Sequence, residues 1–182
     1  MISIDIKEAT KGPHLELERK VIKKMKDIRN NGDYADLLSY FYAYFIRLEQ
    51  EIAPFITDEI LPDYKNRRKA GNLKNDIEQL GGTVDKLPET TMPEIRDHLQ
   101  ALGALYVMEG SVMGGGIIVK MLSEKNGIKE GFSFFSGYGD QTRDKWAAFT
   151  ERMNQLVSGQ EQKDTVIAAA NQTFSNFAEM MN

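Results

Sequence analysis

Residues 109–116 read Glu-Gly-Ser-Val-Met-Gly-Gly-Gly and lie within a segment that otherwise has the pattern of one long amphipathic helix. Apolar residues continue at helical spacing on both sides of and through the glycines: Leu99, Leu102, Leu105, Tyr106, Val112, Met113, Ile117 and Met121. Each interior glycine costs a helix about 1 kcal/mol relative to alanine. The pattern predicts that the bare backbone is needed, either for a flat ligand and a bend in the helix or for close helix–helix packing.

The composition is that of a soluble globular protein, because 41% of the residues are hydrophobic and 27% are charged. With 182 residues the chain can bury a substantial core, so we expect one domain over residues 1–182. The net charge of −4 argues against general nucleic-acid binding. No apolar run reaches the ~20 residues of a membrane span, and the first residues lack the pattern of a signal peptide. We therefore expect a cytoplasmic protein that does not contact a membrane.

Cysteine and histidine are too scarce for several kinds of site. The chain has no cysteine, which excludes disulfides, iron–sulfur clusters, thiolate ligands and a cysteine nucleophile. Its two histidines, His14 and His98, exclude a metal centre built from several imidazoles. A di-iron oxidase on a helical scaffold needs several inward-facing carboxylates and histidines, so that class is disfavoured.

Glycine, proline and capping residues divide the chain into six or seven predicted helices, and no segment alternates with the period of a strand. We therefore predict an all-α fold. Asp33 is the predicted cap of a long apolar helix that ends near Pro62. Another helix is predicted over residues 64–80, and capping-box spacing over residues 91–94 predicts the start of the glycine-bearing helix.

His14 follows Pro13 near the start of the first predicted helix, within its predicted first turn. A lone histidine is usually structural or exposed, but a neutral imidazole is also an ordinary proximal ligand of heme iron. A bare-backbone helix suited to a flat ligand, in a chain without cysteine, favours the ligand interpretation. His98 is interpreted as a surface residue near a helix start, although it is the one other imidazole available as an axial ligand.

Segments along most of the chain carry a family resemblance. They include residues 6–18, IKEATKGPHLELE, and residues 105–115, LYVMEGSVMGG. Residues 48–52, 67–81 and 134–139 follow in the matching order, as do the aromatic residues of the last two helices. Together these segments resemble the heme oxygenase family, particularly its bacterial members, with the first two similar to its proximal-histidine signature and its distal helix.

The resemblance implies a single-domain helical bundle in which heme lies between a proximal helix and a kinked, glycine-rich distal helix. It also implies oxidative cleavage of heme to biliverdin, carbon monoxide and ferrous iron, with O2 and with electrons from an external donor. Heme is then both substrate and cofactor. His14 is the implied iron ligand, Gly110 and Gly114 are implied to let the distal backbone approach heme, and Gly115 is implied to give flexibility.

Four further residues have implied roles at this site. Glu18, one turn after His14, is a candidate to orient the imidazole. Ser111 stands where other members of the family carry an acidic residue that orders water, so its hydroxyl is expected to hold a water. Lys7 matches a propionate contact, for which the alternative is an ordinary solvated charge, and Tyr106 lies near a hydrogen-bonding position.

The late helix departs from the family pattern. Trp146 and Thr150 stand where mammalian members carry basic residues that bind the heme carboxylates. Lys145, Arg143 and Arg152 are candidate substitutes, and the orientation of heme in its plane is left open.

The second half of the first long helix is basic on an otherwise acidic protein. Its cations are Arg19, Lys20, Lys23, Lys24, Lys26 and Arg29. They form either a solvated helix face or a docking patch for an acidic electron donor, a ferredoxin or flavodoxin, through Lys20, Lys23 and Lys24. The alternative function is a protein that stores or delivers heme without cleaving it, since it would share the fold and His14.

Overall fold

The computed structural model describes residues 1–182 and confirms an all-α, single-domain fold, with seven α-helices and no strands. The helices are α1 Ile2–Ala9, α2 Lys11–Lys26, α3 Asn31–Ile52, α4 Gly71–Gln79, α5 His98–Lys125, α6 Thr142–Leu156 and α7 Gln160–Met180. Two short 3-10 helices, Tyr64–Asn66 and Gly139–Gln141, lie in the connections.

Helix α5 is the centre of the fold and runs through the glycines without a break. It packs mainly against α7, and also against α3 and α6. Residues 101–109 are all buried, so this half of the helix is not one-sided as predicted, and beyond it Met113 and Ile117 of the predicted apolar face are exposed. By length and composition α5 is the one helix that could cross a membrane, and 56% of its apolar stretch is buried inside the protein.

The single helix predicted over residues 64–80 is wrong. After the 3-10 turn the backbone becomes extended at Arg67, with φ −82° and ψ 156°, and α4 starts only at Gly71. The break turns Arg67 and Arg68 into the protein, where they are 3% and 6% exposed. Buried ion pairs and hydrogen bonds to these two side chains stabilise a backbone that local propensity alone would keep helical.

Two predicted helix caps are also wrong, because in each case a different side chain accepts the hydrogen bond from the backbone N–H at the helix start. Asn30, not Asp33, caps α3 by accepting a hydrogen bond from the Asp33 N–H at 3.0 Å. Asp97 caps α5 by accepting from the Gln100 N–H at 2.9 Å, so α5 begins after the predicted capping box. His98 is then the first residue of α5 and is exposed, in agreement with its interpretation as a surface residue.

Helices α2 and α5 both pack against α7, which holds them in a fixed relation to each other. They come together where Tyr106 of α5 lies beside the side chain of Thr10, the residue between α1 and α2. His14 lies one turn after Thr10 and Gly110 lies one turn after Tyr106, so each is within one helical turn of this contact. The two predicted parts of the site therefore share one region of the molecule.

Candidate functional site

His14 is held at the start of α2 and keeps a free ring nitrogen. Its backbone N–H donates to the Thr10 carbonyl at 3.0 Å, and its ring lies 5.2 Å from the ring of Phe174 on α7. The imidazole Nε2 is 3.3 Å from Glu18 Oε1, while the other nitrogen has no protein partner, and the side chain is 52% exposed. An oriented, accessible imidazole of this kind can bind a metal through one nitrogen.

The glycines of α5 divide into two groups that the sequence does not distinguish. A Cβ on Gly114 would meet no atom within 4 Å, and a Cβ on Gly110, one turn earlier, would meet only Trp146 at 3.5 Å. A Cβ on Gly115 would lie 2.1 Å from the carbonyl oxygen of Phe135. Gly115 therefore serves close packing of α5 against a loop, whereas Gly110 and Gly114 leave one face of the helix bare.

Large apolar side chains are exposed on α5 beside this bare face and on α2 next to His14. Met113 and Ile117 on α5 are 45% and 67% exposed, and Leu15, next to His14, is 44% exposed. Exposed apolar residues around an open backbone face are typical of a site for a large apolar ligand. The residues present thus fit a flat, apolar, iron-containing ligand between α2 and α5.

The Ser111 side chain is already engaged in two hydrogen bonds within the protein. Its hydroxyl donates to the Met108 carbonyl at 2.6 Å and accepts from Arg68 Nη2 at 2.7 Å. A hydroxyl has one donor and two acceptor positions, so one acceptor position stays free for a water. Ser111 can hold a water as predicted, but only by accepting a hydrogen bond from it.

Arg68 places a positive charge behind Ser111 without a carboxylate partner. Its guanidinium donates to the carbonyls of Phe134 and Met108 at 3.0 and 2.8 Å and lies 3.7 Å from the Phe134 ring centre. Nε is buried with no hydrogen-bond partner. Burial lowers the pKa of Arg68 to about 10, offset in part by Glu109, so the side chain stays charged at neutral pH.

A buried ionic cluster, which we call the Glu109 cluster, joins α5 to α6 and to the turn before α4. Arg67 Nη1 donates to Glu109 Oε2 at 2.7 Å, and the two side chains are 0% and 2% exposed. Arg67 Nε and Lys145 Nζ both donate to Asp63 at 2.8 Å, and the Tyr138 hydroxyl donates to Glu109 at 3.0 Å. Burial would raise the pKa of Asp63, but hydrogen bonds from Lys145 and Arg67 outweigh it and keep that pKa low.

Sequence reasoning missed the Glu109 cluster. The available signal was a lone carboxylate, Glu109, inside an apolar run of α5, because buried acids are nearly always paired. Its partners are not identifiable from the sequence, because the helical pattern over residues 64–80 includes Arg67.

Only some of the residues predicted to bind the heme carboxylates have side chains that are free to do so. Lys7 is exposed and forms no ion pair. Tyr106 is buried, which raises its pKa, and the hydrogen bond to Thr10 partly offsets the rise. Lys145 is bound to Asp63, and the Arg152 guanidinium donates to the carbonyls of Glu59 and Ile60. Of the three late-helix candidates, only Arg143 remains exposed and unpaired.

The three lysines predicted to dock an electron donor have different surroundings. Lys20 donates to the Ala178 carbonyl at 2.9 Å and pairs with Glu16 at 3.3 Å. The Lys24 ammonium lies 4.5 Å from the ring centre of Tyr40. Lys23 is exposed and has no such partner, so it is the one of the three that is fully available to another protein.

Comparisons with known proteins agree with this fold and site. The family model described as Heme oxygenase matches residues 1–182, so the chain belongs to the heme oxygenase family, as the sequence resemblance indicated. A heme oxygenase of Xanthomonas campestris is 25% identical over 145 residues, covering 79% of this chain and 86% of that protein.

Solved heme oxygenases share the fold. The enzyme from Neisseria meningitidis, determined with bound NO and CO, has a TM-score of 0.81 at 17% identity and covers 100% of this chain and 90% of its own. The Leptospira interrogans protein has a TM-score of 0.76 at 18% identity, covering 99% and 98%. The Synechocystis protein, determined in complex with heme, has a TM-score of 0.74 at 20% identity, covering 100% and 90%.

Proposed function

We propose that this protein is a heme oxygenase that cleaves heme to biliverdin, carbon monoxide and ferrous iron, using O2 and electrons from an external donor. Membership of the family supports heme as the substrate. The observation that carries the proposal is the pairing of His14, with its free ring nitrogen, and the bare Gly110–Gly114 face one turn from the same Tyr106–Thr10 contact.

Heme bound between α2 and α5 supplies the iron centre at which O2 is activated. His14 would hold the iron through its free ring nitrogen, and Glu18, 3.3 Å from Nε2, would accept a hydrogen bond from the other nitrogen and so orient the ring. Gly110 and Gly114, which have no side chains, would let the α5 backbone approach the heme. Burial of Met113 and Ile117 against the porphyrin favours binding, at about 25 cal/mol for each Å² of apolar surface.

Proton supply on the α5 side depends on an ordered water. Ser111 can only accept from that water, because its own proton is directed at the Met108 carbonyl. The water therefore keeps one proton free to donate into the site. The Arg68 charge, 2.7 Å from the Ser111 oxygen, favours negative charge that develops nearby.

Charged groups at the rim serve the carboxylates and the electron donor. We propose that Lys7, which is exposed and unpaired, binds a heme carboxylate. The Tyr106 hydroxyl, which lies beside Thr10 three residues after Lys7, is the proposed second contact. Lys23, in the basic helix that also carries His14, is proposed to attract an acidic donor such as a ferredoxin or flavodoxin.

Optical titration with hemin, followed by ascorbate in air with an iron chelator, tests the proposal. We expect a saturable 1:1 Soret band that is lost or shifted in His14→Ala and that converts into a biliverdin spectrum. A Soret band that persists under ascorbate and under a ferredoxin reducing system would contradict catalysis and favour a heme carrier. Glu16→Ala, which removes an exposed carboxylate on the same helix, is the control and should behave as the wild type.

A further inference from the structure

We call the space beside the bare Gly110–Gly114 face of α5, where heme is proposed to bind, the crevice. Trp146 lies at its α6 end and forms an aromatic wall there. Two carbons of its six-membered ring lie 3.5 and 3.7 Å from the position of a Cβ on Gly110. Its ring centre is 5.4 Å from that of Tyr106 and 5.8 Å from that of Phe149. The bare face of α5 therefore ends, on the α6 side, at three packed aromatic rings.

Two of the three cations of α6 are engaged near this end, whereas Arg143, one turn before Trp146, is exposed and unpaired. The Lys145 ammonium is held by Asp63, and the Arg152 guanidinium is held by loop carbonyls. One turn after Trp146 the side chain is Thr150, whose hydroxyl donates back to the Trp146 carbonyl at 3.2 Å. A carboxylate placed directly against the three aromatic rings would lose water to an apolar surface, which is costly.

We propose that Trp146 determines the orientation of the porphyrin by turning an apolar edge of the ring towards α6, and that Arg67 is the positioning residue that holds Trp146 there. This inference rests on the proposed function. The aromatic surface suits the methyl and vinyl substituents. The carboxylates then leave the crevice along the rim, where Lys7 is unpaired. Because the four bridging carbons of the ring differ in their neighbours, the orientation decides which biliverdin isomer forms.

Arg67 bonds to the neighbours of both residues that make the Gly110–Trp146 contact. Nη1 donates to Glu109, the residue before Gly110, at 2.7 Å. Nη2 donates to the carbonyl of Lys145, the residue before Trp146, at 3.2 Å. Nε donates to Asp63, which also binds the Lys145 ammonium. One buried guanidinium thus fixes the spacing between α5 and α6 at the crevice end.

The first test places a cation in the wall. In Trp146→Lys we expect the ratio of heme orientations to change about tenfold, equivalent to about 1.4 kcal/mol. The heme methyl resonances of the ferric cyanide complex report this ratio without turnover, and the biliverdin isomers should change in parallel. Trp146→Phe keeps an aromatic wall and should keep the wild-type ratio. Ala147→Lys adds the same charge at an exposed neighbouring position and should also leave the ratio unchanged.

The second test uses Trp146 as the only tryptophan of the chain. In heme-free Arg67→Lys we expect the emission to shift to longer wavelength and acrylamide quenching to rise about twofold, with helix content retained by circular dichroism. Arg96→Lys, at an exposed pair with Glu94, is the control and should behave as the wild type. If Arg67→Lys loses helix content, Lys145→Met removes one bond of the same cluster and should produce the same fluorescence change.

Outcomes for the orientation and for catalysis are separate. A Trp146→Lys protein that binds heme with wild-type methyl resonances and gives the wild-type isomer would overturn the role of Trp146, whatever the turnover rate. Unchanged quenching in both cluster variants would overturn the role of Arg67. If Trp146→Lys changes the orientation of bound heme but even the wild-type protein never cleaves heme, the result would instead contradict the proposed function.

Discussion

Alanine at Gly114 and at Gly115 should have opposite effects on stability, although the two glycines are adjacent in α5. At Gly114 the new methyl group meets no atom within 4 Å. The heme-free protein should therefore gain the helix-propensity difference of about 1 kcal/mol. For a chain of this size the melting temperature should rise by about 2–4 °C.

At Gly115 the methyl group would lie 2.1 Å from the Phe135 carbonyl oxygen, which is backbone and cannot rotate away. Overpacking of this kind costs about 1–3 kcal/mol. After the propensity gain of about 1 kcal/mol is subtracted from the upper end of that range, a net loss of about 2 kcal/mol remains. The two variants should thus differ by about 3 kcal/mol in the free energy of unfolding, measured by urea denaturation of the heme-free proteins.

Gly114→Ala should weaken heme binding although it stabilises the heme-free protein, because its methyl group projects from the face that heme is proposed to approach. We expect hemin affinity to fall at least about tenfold, equivalent to about 1.4 kcal/mol, in a protein that is more stable than the wild type. Equal destabilisation by both alanines would refute the assignment of the two faces. A Gly114→Ala protein with wild-type hemin affinity and turnover would refute the need for a bare backbone.

Three further predictions concern charged residues. Glu109→Gln keeps the shape of the side chain but leaves Arg67 short of a buried counter-charge, so urea denaturation should show a loss of about 3 kcal/mol; a loss below about 1 kcal/mol would mean that the buried pair adds little. Burial raises the pKa of Glu49 above its ordinary 4.5, so the folded state binds the proton more tightly than the unfolded state does. The free energy of unfolding should therefore fall as the pH rises from about 4.5 through the raised pKa. Glu49→Gln should remove that fall, and an unchanged pH profile of unfolding would contradict the assignment. Lys23→Glu should slow turnover driven by a ferredoxin system several-fold and leave ascorbate-driven turnover unchanged, whereas equal losses in both assays would exclude a docking role.

Much of the site was predictable because its residues lie in local patterns. The position of His14 in the first turn of a helix and the continuity of α5 follow from proline placement and apolar spacing, which depend on few neighbours. The exposed position of His98 follows in the same way from its place at a helix start. The resemblance to heme oxygenases rests on these same segments.

The parts that could not be predicted depend on contacts between distant residues. The helical pattern continues through Arg67, yet the chain becomes extended there because its side chain meets Glu109, 42 residues further along. Gly114 and Gly115 have the same local sequence environment, and only the loop at Phe135 separates their roles. The pairing of Lys145 with Asp63 likewise removes a cation that sequence alone leaves free.

Carbon monoxide release during turnover tests the central claim most directly, because it reports cleavage of the ring and not merely loss of heme absorbance. The wild-type protein loaded with heme is given reductant in air with catalase present, and the CO released is measured against the heme consumed. The proposed function predicts CO in stoichiometric amount with biliverdin, and none from heme-loaded protein kept without reductant. Heme that bleaches without matching CO, or that keeps its Soret band throughout, would contradict it.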